Sequence, residues 1–361
     1  MPIKQITRSI LILIAPMFLV SCGTYSNAPS KPPATASGLI LVANSVSNSI
    51  SSYTVDPQTG QLNAKETVAT GGLNSRVMAT EPSGRFAYVG NVDSNNISVF
   101  AIDANTSRLS MVGSPVRAGS GPRFIVVGPM GNLLYAVNQQ ANNITGFSIN
   151  PSTGALTPLS GTVPTDEAPI ELSFHPSGHF AYLANFNSSD VTVYRVDSSG
   201  ALGLLGAVPV GLSPSAICIH PSGKFAYVAS LASNQITTFS IDQTSGALTP
   251  LMPRVISGDG PTSITMESQG RFAYVTNAIA GTVSVFAIDA VTGTLTPRSS
   301  VSAGTNPVAL TMDASGRFAY VANLGSDDLT VFAADSNTGA LTPIGQPVHA
   351  GTGPAWLTLV Q

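Results

Sequence analysis

Phe86-Ala87-Tyr88-Val89-Gly90-Asn91 decides the fold, because the segment returns along the chain. It recurs as Leu133–Asn138, Phe180–Asn185, Phe225–Ser230, Phe272–Asn277 and Phe318–Asn323, with a degenerate first copy at Leu39–Asn44. The position of Tyr88 is thereby repeated at Leu41, Tyr135, Tyr182, Tyr227, Tyr274 and Tyr320, at intervals of 45 to 47 residues. Around each copy lie the same neighbours. An apolar run follows a proline, as in Pro122-Arg123-Phe124-Ile125-Val126-Val127, and a turn such as Pro82-Ser83-Gly84 or Pro176-Ser177-Gly178 leads into the repeated segment. A polar loop, an alternating run such as Val283–Ile288, a Thr-Gly or Ser-Gly turn and a Leu-Thr-Pro segment complete the period. Alternation gives a strand one face to pack, and glycine supplies the backbone angles the turns need.

Four short strand signals per period of this length make one propeller blade, and seven periods make one domain. The expected fold is all-β: a seven-bladed β-propeller with four antiparallel strands per blade, spanning residues 38–361. First-strand signals fall near Val77, Ile125, Leu172, Ile217, Ile264, Leu310 and Leu357. The last has no blade after it, and the first repeat starts directly on a second strand at Leu39. The C-terminal strand is therefore expected to close the first blade, which removes the edges an open array would expose.

Composition agrees. Charged residues are 9% of the 361 residues, against about 25% in an average soluble domain, while 34 Gly and 26 Pro favour turns over helices. A net charge of −3 offers no basic surface for nucleic acid.

The N-terminus reads as an address. Lys4 and Arg8 precede an apolar run from Ile10 to Val20, which as a helix would rise about 16 Å, too short for a bilayer core of about 30 Å. This fits a signal-peptide core ending in Leu19-Val20-Ser21-Cys22. That ending resembles the bacterial lipobox. The resemblance implies a signal peptide over 1–21, lipidation at Cys22 and a tether over 22–37, with envelope localisation, in the outer membrane if the host has one, held by the lipid anchor alone. Gly23 follows the cysteine, with no Asp there to suggest retention at the inner membrane. Cys218, in an apolar run, is expected as an unbonded core thiol.

At Tyr274-Val275-Thr276-Asn277 the chain spells YVTN. With Pro-Ser-Gly-Arg-Phe-Ala-Tyr-Val and Thr-Gly-Ala-Leu-Thr-Pro, the array resembles the YVTN-repeat and lactonase-type family of seven-bladed propellers over residues 38–361. That family includes 6-phosphogluconolactonases and carboxymuconate cyclases. In its catalytic branch one blade reads Gly-Pro-Arg-His and a following strand ends in Asn-Glu, with the Arg and Glu at the channel mouth. Here the matching segments are Gly121-Pro122-Arg123-Phe124 and Asn138-Gln139. Arg123 is kept, the His is Phe124, the Glu is Gln139, and a channel-mouth His one blade earlier is replaced by Arg76. The resemblance thus implies a lost acid/base group, since Gln cannot exchange a proton near neutral pH.

Two functions follow. One is a tethered, non-catalytic propeller binding a small molecule or an envelope protein, as a monomer without cofactor. The other is a lactone hydrolase with a rearranged site using Arg76, Arg123 and Glu171. Either way a ligand is expected at the channel mouth beside Arg76, Arg123, Gln139 and Glu171. Trp356, the only Trp, either stacks on that ligand or packs in the core. His175 and His220 precede Pro-Ser-Gly turns and read as turn caps; His179 and His349 stand apart, and no spacing suggests a metal site. Asp166, Glu167 and Glu171 cluster in sequence, where a solvated loop competes with a cation site.

Overall fold

The repeated segment becomes strand in every copy, and its side chains are buried on both faces. A computed structural model describes residues 38–360. These form seven separate antiparallel sheets, each running from an inner strand through the repeated second strand to a third and an outer strand. In three blades the outer strand is broken in two, as at Leu109–Met111 and Val116–Arg117.

The seven inner strands are Pro354–Val360, Ser75–Thr80, Pro122–Val127, Pro169–Phe174, Pro214–Ile219, Pro261–Met266 and Pro307–Met312, for blades 1 to 7. Blade 1 is composite. Its inner strand comes from the C-terminus and pairs with Leu39–Asn44, placing Leu39 opposite Val360 and Ala43 opposite Trp356. The expected closure of the ring is present.

Each buried cluster joins neighbouring blades. Tyr182 and Val193 of blade 4 pack with Ile217 and Phe239 of blade 5. Ile40, Val42 and Tyr53 of blade 1 pack with Phe318 and Tyr320 of blade 7. The Thr-Gly or Ser-Gly turn is the second half of this contact. Gly246 (φ +74°) lies against the Phe180 ring, where a Cβ would overlap it, and the Gly246 carbonyl accepts a hydrogen bond of 3.0 Å from Tyr182 Oη. Tyr227 makes the same bond to Gly293 and Tyr320 to Gly60, the latter across the closing seam. The repeat therefore needs glycine for two reasons: a left-handed backbone and close approach to the preceding blade.

Polar interlocks follow the same period. The buried Asn ending most second strands donates to two side chains of the next strand, as Asn138 does to Asn143 (2.8 Å) and Thr145 (2.9 Å). The turn before the third strand accepts from the backbone N–H that precedes the next inner strand: Asn95 from Gly121, Asn142 from Ala168 and Asp327 from Gly353. His175 and His220 cap their turns as expected. Each sets Nδ1 on a Ser hydroxyl at 2.8 Å and presents Nε2 to a carbonyl of the next blade, Gly223 and Gly270. A ring nitrogen facing a carbonyl must carry the hydrogen, and burial holds both groups below the ordinary histidine pKa.

Cys218 is fully buried in the inner strand of blade 5 and is not the unbonded thiol expected. The signal-peptide, lipidation and tether readings also fall outside the described residues. Among those residues no helix is long and apolar enough to cross a membrane.

Deleting residues 354–361 removes the inner strand of blade 1 and exposes the Leu39–Asn44 ladder. The expected outcome is aggregation or loss of the cooperative thermal transition. Unchanged solubility and melting temperature in the truncated protein would rule out this closure as the stabilising contact.

Candidate functional site

Six of the seven inner strands start at proline, and all seven bulge at their second residue. Ser75 faces Asn91 and Val77 faces Gly90, so Arg76 is the extra residue. Pro122 faces Asn138 and Phe124 faces Val137, which leaves Arg123. The corresponding residues are Ile170, Ser215, Thr262, Val308 and Ala355. A bulge bends the strand and re-aims the extra side chain. All seven of these residues line one cavity of about 410 Å³ where the inner strands begin.

Glu171, Phe124 and Trp356, each one residue further along its strand, line the same cavity. Four of the five sequence-predicted ligand residues are therefore brought together: Arg76, Arg123, Glu171 and Trp356. Gln139 is not among the lining residues. It follows the second strand of blade 3, where its backbone N–H donates 2.8 Å to the Gly121 carbonyl. Its counterparts Phe186, Leu231, Ala278 and Leu324 do line the cavity. Sequence reasoning passed over these apolar positions because they carry no chemistry of their own. Aligning every repeat on Arg123 and Gln139 would have found them.

Trp356 packs into the core and also lines the cavity. It is partly buried, meets Phe124 edge-on at 5.5 Å between ring centres, and still forms cavity wall. Phe124 thus gives the cavity an aromatic contact beside Arg123.

The charges are unevenly compensated. Arg271–Glu267 is the one ion pair within 4.0 Å among the described residues, so Glu171 is not in contact with either cavity arginine. Neither guanidinium has a hydrogen-bond acceptor among the described residues. Burial pushes Arg123 down to about 9, the like charge of Arg76 adds to this, and Glu171 opposes it. Arg123 is thus cationic at neutral pH. Burial also lowers Arg76, against the attraction of Asp93. Glu171 is 9% exposed, and burial pushes its carboxyl up to about 8 despite the Ile217 backbone hydrogen bond and Arg123. At neutral pH the cavity holds two cations and a mostly protonated acid, a set suited to an anion and a hydrogen-bonding neighbour.

The acidic cluster read from sequence does not converge. Asp166 is exposed and accepts from Thr192, whereas Glu171 turns into the cavity. Among the described residues no three His, Cys, Asp or Glu side chains are placed to hold a metal ion.

The family model for lactonases with a seven-bladed β-propeller matches residues 34–121, 115–261 and 249–358. The chain belongs to this lactonase family. Among solved structures, a 6-phosphogluconolactonase candidate from Bacteroides fragilis is similar, with 21% identity, 91% of this chain and 100% of that chain covered, and a TM-score of 0.81. The periplasmic gluconolactonase of Pseudomonas aeruginosa is 22% identical over 90% of this chain and 99% of its own, with a TM-score of 0.79. A protein from Lactobacillus plantarum is 23% identical over 90% and 100%, with a TM-score of 0.80. Comparison with curated proteins finds no match. At these identities the likeness is one of fold.

The raised Glu171 pKa ties stability to pH. The folded state holds this proton more tightly than the unfolded chain, so the benefit is full below the ordinary carboxyl range near 4.5 and is lost as pH rises through about 8. Thermal melts between pH 5 and 8 should show a decline worth up to about 1.4 kcal/mol per pH unit from this group. Glu171→Gln should flatten that decline; an unaltered pH profile in the variant would show that Glu171 is not held protonated.

Proposed function

We propose that this lactonase-family propeller is an envelope-tethered binding protein that captures a small anion in its channel mouth. The observation that carries this reading is the pair Arg76 and Arg123 in one cavity, without an ionised carboxylate in contact. A guanidinium is a fork of donors that fits a carboxylate, and two of them in a partly enclosed site favour binding over charge-neutral packing. The proton-transfer groups of the family's catalytic pattern are absent at Phe124 and Gln139, so capture without turnover is the expected behaviour.

Topology supports a tethered arrangement. Gly38, where the described chain begins, lies at the far end of the second strand from Asn44, about 20 Å from the cavity end at 3.3 Å per residue. A chain running back from Gly38 to an acylated Cys22 would leave from the face opposite the cavity. The mouth would then point away from the membrane, free to meet a small solute or an envelope protein.

A second reading rests on Glu171. A carboxyl pushed up to about 8 is tuned to give and take protons near neutral pH. With Arg123 holding an oxyanion beside it, the cavity would hydrolyse a lactone.

A panel of lactones separates the two. The expected outcome is no hydrolysis above background, with the hydrolysed acids binding and Arg123→Ala weakening them by about 1.5–3 kcal/mol. Turnover that rises or falls around pH 8 and disappears in Glu171→Gln would instead establish the hydrolase.

The address has its own test. The chain has two cysteines, and one sulfur cannot carry both a lipid thioether and a disulfide. The intact mass of the mature protein is expected to show diacylglycerol and an acyl chain on an N-terminal Cys22, with detergent-phase partitioning lost in Cys22→Ser. A mature chain that starts elsewhere, or carries Cys22 in a disulfide, would refute lipidation.

A further inference from the structure

The cavity has two unlike walls. Its charged side chains sit on three successive blades: Arg76 on blade 2, Arg123 on blade 3 and Glu171 on blade 4. The remainder is mostly apolar, with Ser215, Thr262, Ser263 and Asn306 as its polar members. Phe186, Leu231, Val308 and Leu324 come from blades 4, 5 and 7, and Phe124 and Trp356 form an aromatic corner beside the arginines.

Two hydroxyls stand on the far wall at bulge positions, and both have committed their hydrogens to the scaffold. Ser215 Oγ donates to the Pro261 carbonyl at 2.6 Å, and Thr262 Oγ1 donates to the Pro307 carbonyl at 3.0 Å. Each bond ties one blade to the next. A polyhydroxylated sugar acid would therefore meet charged donors at one end of the cavity only, with Ser263 and Asn306 as the uncommitted polar side chains elsewhere. Hydroxyls beyond the reach of these few groups would be desolvated against Leu, Val and Phe, which costs free energy at each one left unpaired.

We infer that the cavity selects an amphipathic carboxylic acid, with its carboxylate between Arg76 and Arg123 and an aliphatic or aryl body against the blade 4 to 7 wall. The inference rests on the anion-capture reading above and specifies its ligand class. Charge complementarity fixes the head, since the two guanidiniums lack acceptors. The protonated Glu171 can donate to a carboxylate oxygen, whereas an ionised one would repel it. Shape and apolarity fix the body. Exposed apolar side chains continue the wall outward: Ile279, 75% exposed, belongs to the same lining.

The test uses the full chain carrying Cys22→Ser, so that no acyl chain competes, and reads the fluorescence of Trp356, the single tryptophan. The probes are hexanoate, octanoate, 1-octanol and gluconate. Octanoate is expected to change the Trp356 signal and to bind at least about tenfold more tightly than gluconate or 1-octanol. Hexanoate should bind more weakly than octanoate by about fourfold for each methylene removed. Arg123→Ala should weaken octanoate about tenfold or more and leave 1-octanol unchanged, while Leu324→Asn should weaken octanoate and leave gluconate unchanged. Gluconate binding that exceeds octanoate would overturn this inference and keep the anion site. Equal binding of octanoate and 1-octanol would overturn the carboxylate head. Binding of none of the four would overturn both this inference and the anion-capture reading.

Discussion

The antiparallel pairing of Leu39–Asn44 with Pro354–Val360 is the contact on which the rest of the structure depends. Six blades can each be made from a continuous stretch of chain, but the first cannot. Around this ladder gather the other bonds of the seam: Tyr53 Oη to the His349 carbonyl, Tyr320 Oη to the Gly60 carbonyl and the Arg317 guanidinium to the Pro57 carbonyl. All bridge residues far apart in sequence, so their loop-closure entropy is met together and once. Ala355 and Trp356 belong to the closing strand and to the cavity wall. The site is therefore complete only in the closed ring, and forming the site and sealing the fold are one event.

Within the ring, repetition divides the work between backbone and side chain. The turn glycines, the second-strand Tyr and Asn and the bulge are repeated because each blade must fit its neighbour in the same way. The residue at the bulge makes no ladder pair, so its identity is free. Around the ring it is Arg, Arg, Ile, Ser, Thr, Val and Ala, on a common backbone geometry. A propeller of this kind changes its ligand by changing that ring while the blades remain as they are.

The blades could be read directly because strand alternation, turn glycine and the Tyr position are local signals that seven copies reinforce. Closure could be read because Leu357 had a first-strand signal with no blade to follow it. The arginines were legible as charges in an apolar, low-charge chain, and Glu171 as an acid inside an inner strand. What stayed hidden was relational. The bulge appears only in the pairing of Pro122 with Asn138 and Phe124 with Val137, since a sequence does not show which residue a ladder skips. Gln139 looked equivalent to a cavity residue, yet its counterparts Phe186 and Leu324 line the wall while Gln139 does not. The apolar wall was invisible because a Leu or Val in a propeller reads as core until the ring shows it facing the channel.

The electrostatics of the cavity carry the functional argument further than resemblance does. Two cations that share a partly buried space repel one another: burial is the larger cause that lowers Arg123, and the like charge of Arg76 adds to it. Scaffold needs do not explain them, because the same bulge position accepts Ile, Val or Ala in other blades without such a cost. Glu171 could have neutralised one arginine, but it is too deeply buried to ionise readily and lies beyond ion-pair distance. The folded protein thus keeps two cations in a partly buried site with no ion-pair partner among the described residues. Such local violations of packing logic are retained at functional positions. Across the ring from Arg76 and Arg123, on blades 2 and 3, stands a wall that includes Leu231, Val308 and Leu324 of blades 5 and 7, so charge and apolar surface share one cavity.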